Sequence, residues 1–248
     1  MKSIKVAKMN LQGVIKPTVI FYSILGGIVL LSIIANYYYT GTIEMNGVDL
    51  ATAIFLFICG LNSFKANFYF AQSNNIARKT FMKGIVISSV PLVLSTSIID
   101  FIINRIANIF MKIPTLYDMG FGGLSGSAWL TRDMWVQSND ISTIFKTILF
   151  QFSLCLVAYL MGIVINMIYY RCNKLMKTVV SILPIALIII MGFLPFETMV
   201  NIERFANYLM GVNPLNVYAP ITTFLVGAVI LSAITFLLIR KATIKERG

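Results

Sequence analysis

Histidine is absent from this 248-residue sequence, and that absence removes several chemistries at once. An HExxH zinc site needs two histidines on one helix face, and a Ser-His pair needs an imidazole base. The four glutamates, Glu44, Glu197, Glu203 and Glu246, form no paired-acid motif inside an apolar run. Charge is scarce, at 12% of residues, where a soluble domain carries about a quarter. The three cysteines, Cys59, Cys155 and Cys172, are too scattered for a disulfide framework or a metal set, and they read as small packing residues. No nucleotide loop is present either. Gly120-Phe-Gly-Gly-Leu-Ser-Gly126 has neither the GxGxxG nor the GxxxxGK[ST] spacing, and no strand precedes it.

What remains is apolar: 58% of the chain, with a mean hydropathy of +0.85. One globular core cannot bury that excess, so lipid must solvate much of the surface. A spanning helix takes about 20 mainly apolar residues. Six segments qualify: Val19–Tyr39, Leu50–Phe70, Gly84–Ile103, Ile144–Tyr169, Thr178–Leu194 and Tyr218–Ile239. Tyrosines cluster at several of their ends, as interfacial belts require. The first segment leads into Asn36-Tyr37-Tyr38-Tyr39, not a small-residue cleavage site, and is expected to be retained as a helix. The fifth is the shortest and holds Pro184.

Basic residues set the expected sidedness. Lys2, Lys5, Lys8 and Lys16 precede the first span, and Arg78, Lys79 and Lys83 follow the second. Arg171, Lys174 and Lys177 follow the fourth, and Arg240, Lys241, Lys245 and Arg247 end the chain. That gathers 14 of the 20 Lys and Arg on one face, which the positive-inside rule makes cytoplasmic. The opposite connections hold Glu44, Asp49, Asp118, Asp133, Asp140, Glu197 and Glu203. The net charge of +11 is therefore an orientation signal, and nucleic acid is not an expected partner. The fold expected is all-α and polytopic: one domain over residues 1–248, six transmembrane helices and both termini inside.

Several segments carry more than topology. Residues 1–16 set Ile4, Ala7, Leu11, Val14 and Ile15 on one helical face and Lys5, Lys8, Gln12 and Lys16 on another, the pattern of an amphipathic helix lying in the interface. A plain basic leader that only sets topology reads equally well. In the connection 72–83, Ile76, Phe81 and Met82 alternate with polar residues, which suits docking on a soluble partner as well as a simple loop. The connection 105–143 is the longest external one. Residues 196–217 are external yet apolar, which predicts a short helix or hairpin on the outer face before the last span. Within the spans, Lys65 is flanked by Asn62 and Asn67 and is placed to snorkel, while Asp100 has Arg105 or Lys146 as candidate ion-pair partners. Asn166 is a further intramembrane polar candidate.

Six spans, a basic leader, a short basic connection after span two and an apolar hairpin before span six together resemble the permease subunits of type-2 ABC transporters. The stretches Asn75-Ile-Ala-Arg-Lys-Thr-Phe-Met-Lys-Gly84 and Leu160-Met-Gly-Ile-Val-Ile-Asn-Met-Ile-Tyr-Tyr-Arg171 are similar to the small Gram-positive members. These include exporters of antimicrobial or amphipathic peptides and bacteriocin self-protection systems. The resemblance implies a bacterial cytoplasmic-membrane protein working as a homodimer or with a sister permease. A cytosolic ATPase would hold ATP and Mg, with no cofactor on this chain, and the cargo would be an amphipathic peptide or lipid-like molecule. It further implies that Lys5 and Lys8 of the leader, with Asn75, Ile76, Arg78, Lys79 and Phe81, face that ATPase, and that the first and fifth spans form dimer contacts. The main competing expectation is an immunity protein that sequesters a toxic peptide without ATP.

Overall fold

The computed structural model describes residues 2–38, 45–122, 135–193, 195–212 and 214–240. Among them every regular element is helical: α1 (Lys2–Tyr38), α2 (Val48–Ser73), α3 (Arg78–Ala107), α4 (Leu116–Gly120), α5 (Ile141–Arg171), α6 (Lys174–Gly192), α7 (Phe196–Leu209) and α8 (Tyr218–Arg240). Five of them, α1, α2, α3, α5 and α8, are long and apolar enough to cross a membrane. The chain is a multi-pass membrane protein of helical bundle type. The fifth expected span falls on α6, whose described apolar run, Leu175–Ala186, is shorter than a crossing needs. Leu194, its expected end, lies outside the described residues, as does most of Gly120–Gly126.

Local signals explain the boundaries. Thr115 opens α4 with a capping box, its hydroxyl accepting from the Asp118 amide while the Asp118 carboxylate accepts from the Thr115 amide. Asp140 caps α5 by accepting from the Ser142 amide. Between α2 and α3 the chain turns on Asn75, whose positive φ of 52° suits asparagine better than most residues. Pro17, Pro91 and Pro184 lie inside α1, α3 and α6 without ending them.

The helices pack in parallel pairs. Along α1 and α3, Val6 meets Gly84, Asn10 meets Ser88 and Tyr22 meets Asp100. The offset is 78 residues at each, so the two helices run parallel for much of their length. At Gly84 a Cβ would come within 2.6 Å of the Val6 side chain. Between α2 and α5 the backbones nearly touch: a Cβ on Gly60 would strike the Tyr159 carbonyl, and one on Gly162 the Phe57 carbonyl. The α5 and α8 helices are parallel too, with Phe150 on Phe224 at 6.1 Å and Val157 beside Gly227. The inner core combines Leu56, Phe64, Phe68, Phe81, Tyr159, Ile163 and Met167, with Ile239 of α8.

These contacts bring the described parts of the basic segments together. The start of α1 lies on the start of α3, Tyr170 near the end of α5 packs on Phe64 and Phe68, and Arg78 bonds to Arg240. At the opposite end Gly47 donates to the Pro114 carbonyl and Arg105 to the Ser138 carbonyl.

The leader differs from a helix lying flat in an interface. Residues 2–16 continue without a break into the first span, and Val6, Ala7, Asn10 and Val14 are buried inside the protein. A continuous helix of 37 residues is about 55 Å long, more than a bilayer's thickness.

Candidate functional site

At the basic end, the residues expected to face a partner divide by burial. Lys5, Lys8, Asn75 and Lys79 are exposed, and Ile76 and Arg78 are half-buried. Phe81 is different: it is 0% exposed and meets Phe64 and Phe68 edge-on at 6.1 and 5.5 Å. The expectation of a Phe81 available to a partner is thus corrected. It lies three residues into α3, and helical rotation turns it into the core. Arg78 is also spoken for, since its guanidinium donates to the Arg240 carbonyl at 2.9 Å. The connection itself contains no separate helix. It is a tight turn in which the Ile76 amide donates to the Ala71 carbonyl and the Gln72 amide group to the Ile76 carbonyl.

Deeper in, a carboxamide cluster locks the leader into the bundle. Asn10, 2% exposed, donates to the Ser88 hydroxyl at 2.7 Å and to the Tyr159 hydroxyl at 3.0 Å. It accepts from Asn67 at 2.8 Å. One α1 side chain is therefore tied to α2, α3 and α5. Beside it a cavity of about 390 Å³ opens between α1 and α2, its polar side formed by Asn10, Asn62, Ser63 and Asn67 and its apolar side by Val14, Phe55 and Ile58. Asn62 lines this space while donating to the Ile58 carbonyl of its own helix. Lys65 points outward, eight residues from the end of α2, or about 12 Å along the axis, close enough for its ammonium to reach water. Asn166 belongs to neither centre. It donates to the Leu61 carbonyl and fastens α5 to α2 beside the Gly60–Gly162 crossing.

Towards the opposite end lies a second polar centre. Asp100 accepts from Tyr22 at 2.9 Å, Thr52 at 2.8 Å and Gln151 at 3.1 Å. The same Gln151 amide group donates to the Asp49 carbonyl oxygen at 2.9 Å, and the Asp49 carboxylate accepts from the Leu116 amide. Neither expected cation pairs with Asp100. Arg105 instead donates to Ser138 and Asn139 and lies over the Phe101 ring at 4.9 Å. Lys146 lies over the Tyr218 ring at 6.0 Å. The reason is periodicity: five residues along a helix turn the side chain by about 140°, so Asp100 and Arg105 cannot share a face.

Sequence reasoning missed Asn10, Asp49 and Gln151 as centre residues. Asn10 sits on the apolar face of the leader, between Val6 and Val14, and that polar interruption was the available signal. Gln151 interrupts the apolar run Ile148–Ser153 in the same way. Compared with protein-family models, curated proteins and solved structures, the chain matches none.

Proposed function

We propose that this chain is a six-span permease subunit that moves an amphipathic peptide or lipid-like substrate, powered by a separate cytosolic ATPase. The observation that carries the reading is the union of a basic surface with a rigid lever. Lys5 and Lys8 stand on a leader helix tied by Asn10 to three other helices, and Lys79 stands at the start of α3, against the same leader. A partner that pushes on this surface moves α1 and α3 along their lengths, instead of pulling a slack tether. Such a two-state device is biased by a ligand on another subunit. Six crossings are supported by polarity. Parallel α5 and α8 both finish at the basic end, so residues 172–217 have to return the chain to the other end, and α6, at 19 residues, spans about 28 Å. The positive-inside rule makes the basic end cytoplasmic. The apolar α6 and the exposed apolar face of α1 (Ile20, Ile24, Leu31) suit contacts with a second permease.

The test is to tag the chain, extract its native membrane in mild detergent and identify what accompanies it. A stoichiometric Walker-motif ATPase, lost when Lys5, Lys8 and Lys79 are changed to Glu while the chain stays folded, is the expected result. A folded chain without any ATPase overturns the reading. It would advance instead a sequestering protein that holds a toxic peptide without ATP, for which the α1–α2 cavity, lined by both carboxamide and apolar side chains, is the supporting observation.

A further inference from the structure

Asp49 and Asp100 pose an electrostatic problem that the bundle does not solve by itself. Both carboxylates are buried, at 9% and 7% exposure, and both line the same two small cavities, with no Lys or Arg lining either space. With only neutral donors around them, the two carboxylates can both be charged only at a cost that a proton or a bound cation has to offset.

One of these cavities, about 10 Å³, is lined by Asp49, Ser97, Asp100, Phe101, Thr115, Thr147, Ile148 and Gln151. That volume suits a single atom-sized guest. Its polar lining has spent its protons elsewhere. Ser97 donates to the Val93 carbonyl, Thr147 to the Thr143 carbonyl and Thr115 to Asp118. The Gln151 amide group donates to the Asp49 carbonyl and the Asp100 carboxylate. The hydroxyls and carboxylates have lone pairs left to offer. The Gln151 Oε1 atom, on a side chain 3% exposed, has no hydrogen-bond partner. A buried acceptor left without a partner calls for a water or an ion, and two carboxylates with no cation lining the space favour the ion.

We infer that Asp49, Asp100 and Gln151, with the hydroxyls of Ser97, Thr115 and Thr147, form a binding site for a hard cation. No group of three His, Cys, Asp or Glu gathers among the described residues, so the donor set is two carboxylates with neutral oxygens, the chemistry of calcium or sodium and not of zinc or copper. The two carboxylates favour a divalent ion. Bound there, the cation fastens α2, α3 and α5 to the segment that begins α4. This inference does not depend on the transporter reading.

The test uses the full chain in detergent, stripped with EDTA into a choline buffer at constant pH. Added CaCl2, and separately NaCl, is followed by melting temperature and by equilibrium dialysis. The expected result is saturable binding of one ion per chain, with a melting temperature about 5–10 °C higher at a hundred times Kd. Gln151→Leu should abolish the shift, and the gentler Thr147→Val should weaken apparent affinity by about tenfold or more. Calcium acting at lower concentration than sodium supports the divalent assignment; sodium alone supports the site but with one carboxyl protonated. No ion bound at millimolar concentration, a melting temperature that follows pH and no cation, or an equal shift in Gln151→Leu each overturns it.

Discussion

The guanidinium of Arg78 donates a hydrogen bond to the backbone carbonyl of Arg240, 2.9 Å away, so the first residue of α3 is tied to the last described residue of α8. Arg78→Ala should therefore loosen the end of α8, seen as faster amide exchange over residues 236–240. Lys79→Ala, one residue on and exposed, should leave that exchange unchanged. Equal effects from the two substitutions would show that the contact is not specific.

Phe81 separates packing from docking. Truncating a fully buried phenylalanine typically costs about 3–5 kcal/mol, so Phe81→Ala should lower the melting temperature sharply whether or not any partner is present. A variant that melts like the parent would return Phe81 to the surface.

The α2–α5 crossing depends on missing side chains. Gly60→Val and Gly162→Val each drive carbons into the facing backbone, and overpacking of this kind costs about 1–3 kcal/mol or more. Gly13→Ala and Gly27→Ala have open space around the new carbon and should be neutral or mildly stabilising, since alanine favours helix. Melting curves of the four variants check the contrast.

Asn10 should behave as a hub. Asn10→Leu removes one partner each from Ser88, Tyr159 and Asn67, at an expected cost of about 1–2 kcal/mol by the scale of hydrogen bonds between membrane helices. A double-mutant cycle with Asn67→Leu should return a coupling energy above zero. Strict additivity would mean that the two carboxamides act independently.

Sidedness is testable by cysteine labelling in intact cells. With the three native cysteines replaced, Asn216→Cys should react with an impermeant maleimide added outside. Asn173→Cys should react only after the membrane is opened. Labelling of both from the same side would remove the sixth crossing.

The balance between what was legible and what was not follows from periodicity. Composition and the length of the apolar runs located five long helices, because each such run must satisfy its own backbone in lipid. The helix at residues 196–209 likewise announces itself locally. The carboxamide cluster did not, because its members are separated by 57 to 149 residues and acquire meaning only when α1, α2, α3 and α5 meet.

By itself, the sequence determined that this chain lives in a membrane as a bundle of helices, and that its positive charge is concentrated in four segments. Hydropathy and charge are sums over neighbours in the chain, so they need no fold to be read. The tertiary structure alone decided that the leader is part of the bundle, that Phe81 is core and Arg78 is bonded to α8, and that Asp100 turns away from Arg105 towards Gln151. Those outcomes depend on helix rotation and on close approach at Gly60, Gly84 and Gly162, quantities fixed only when the helices pack.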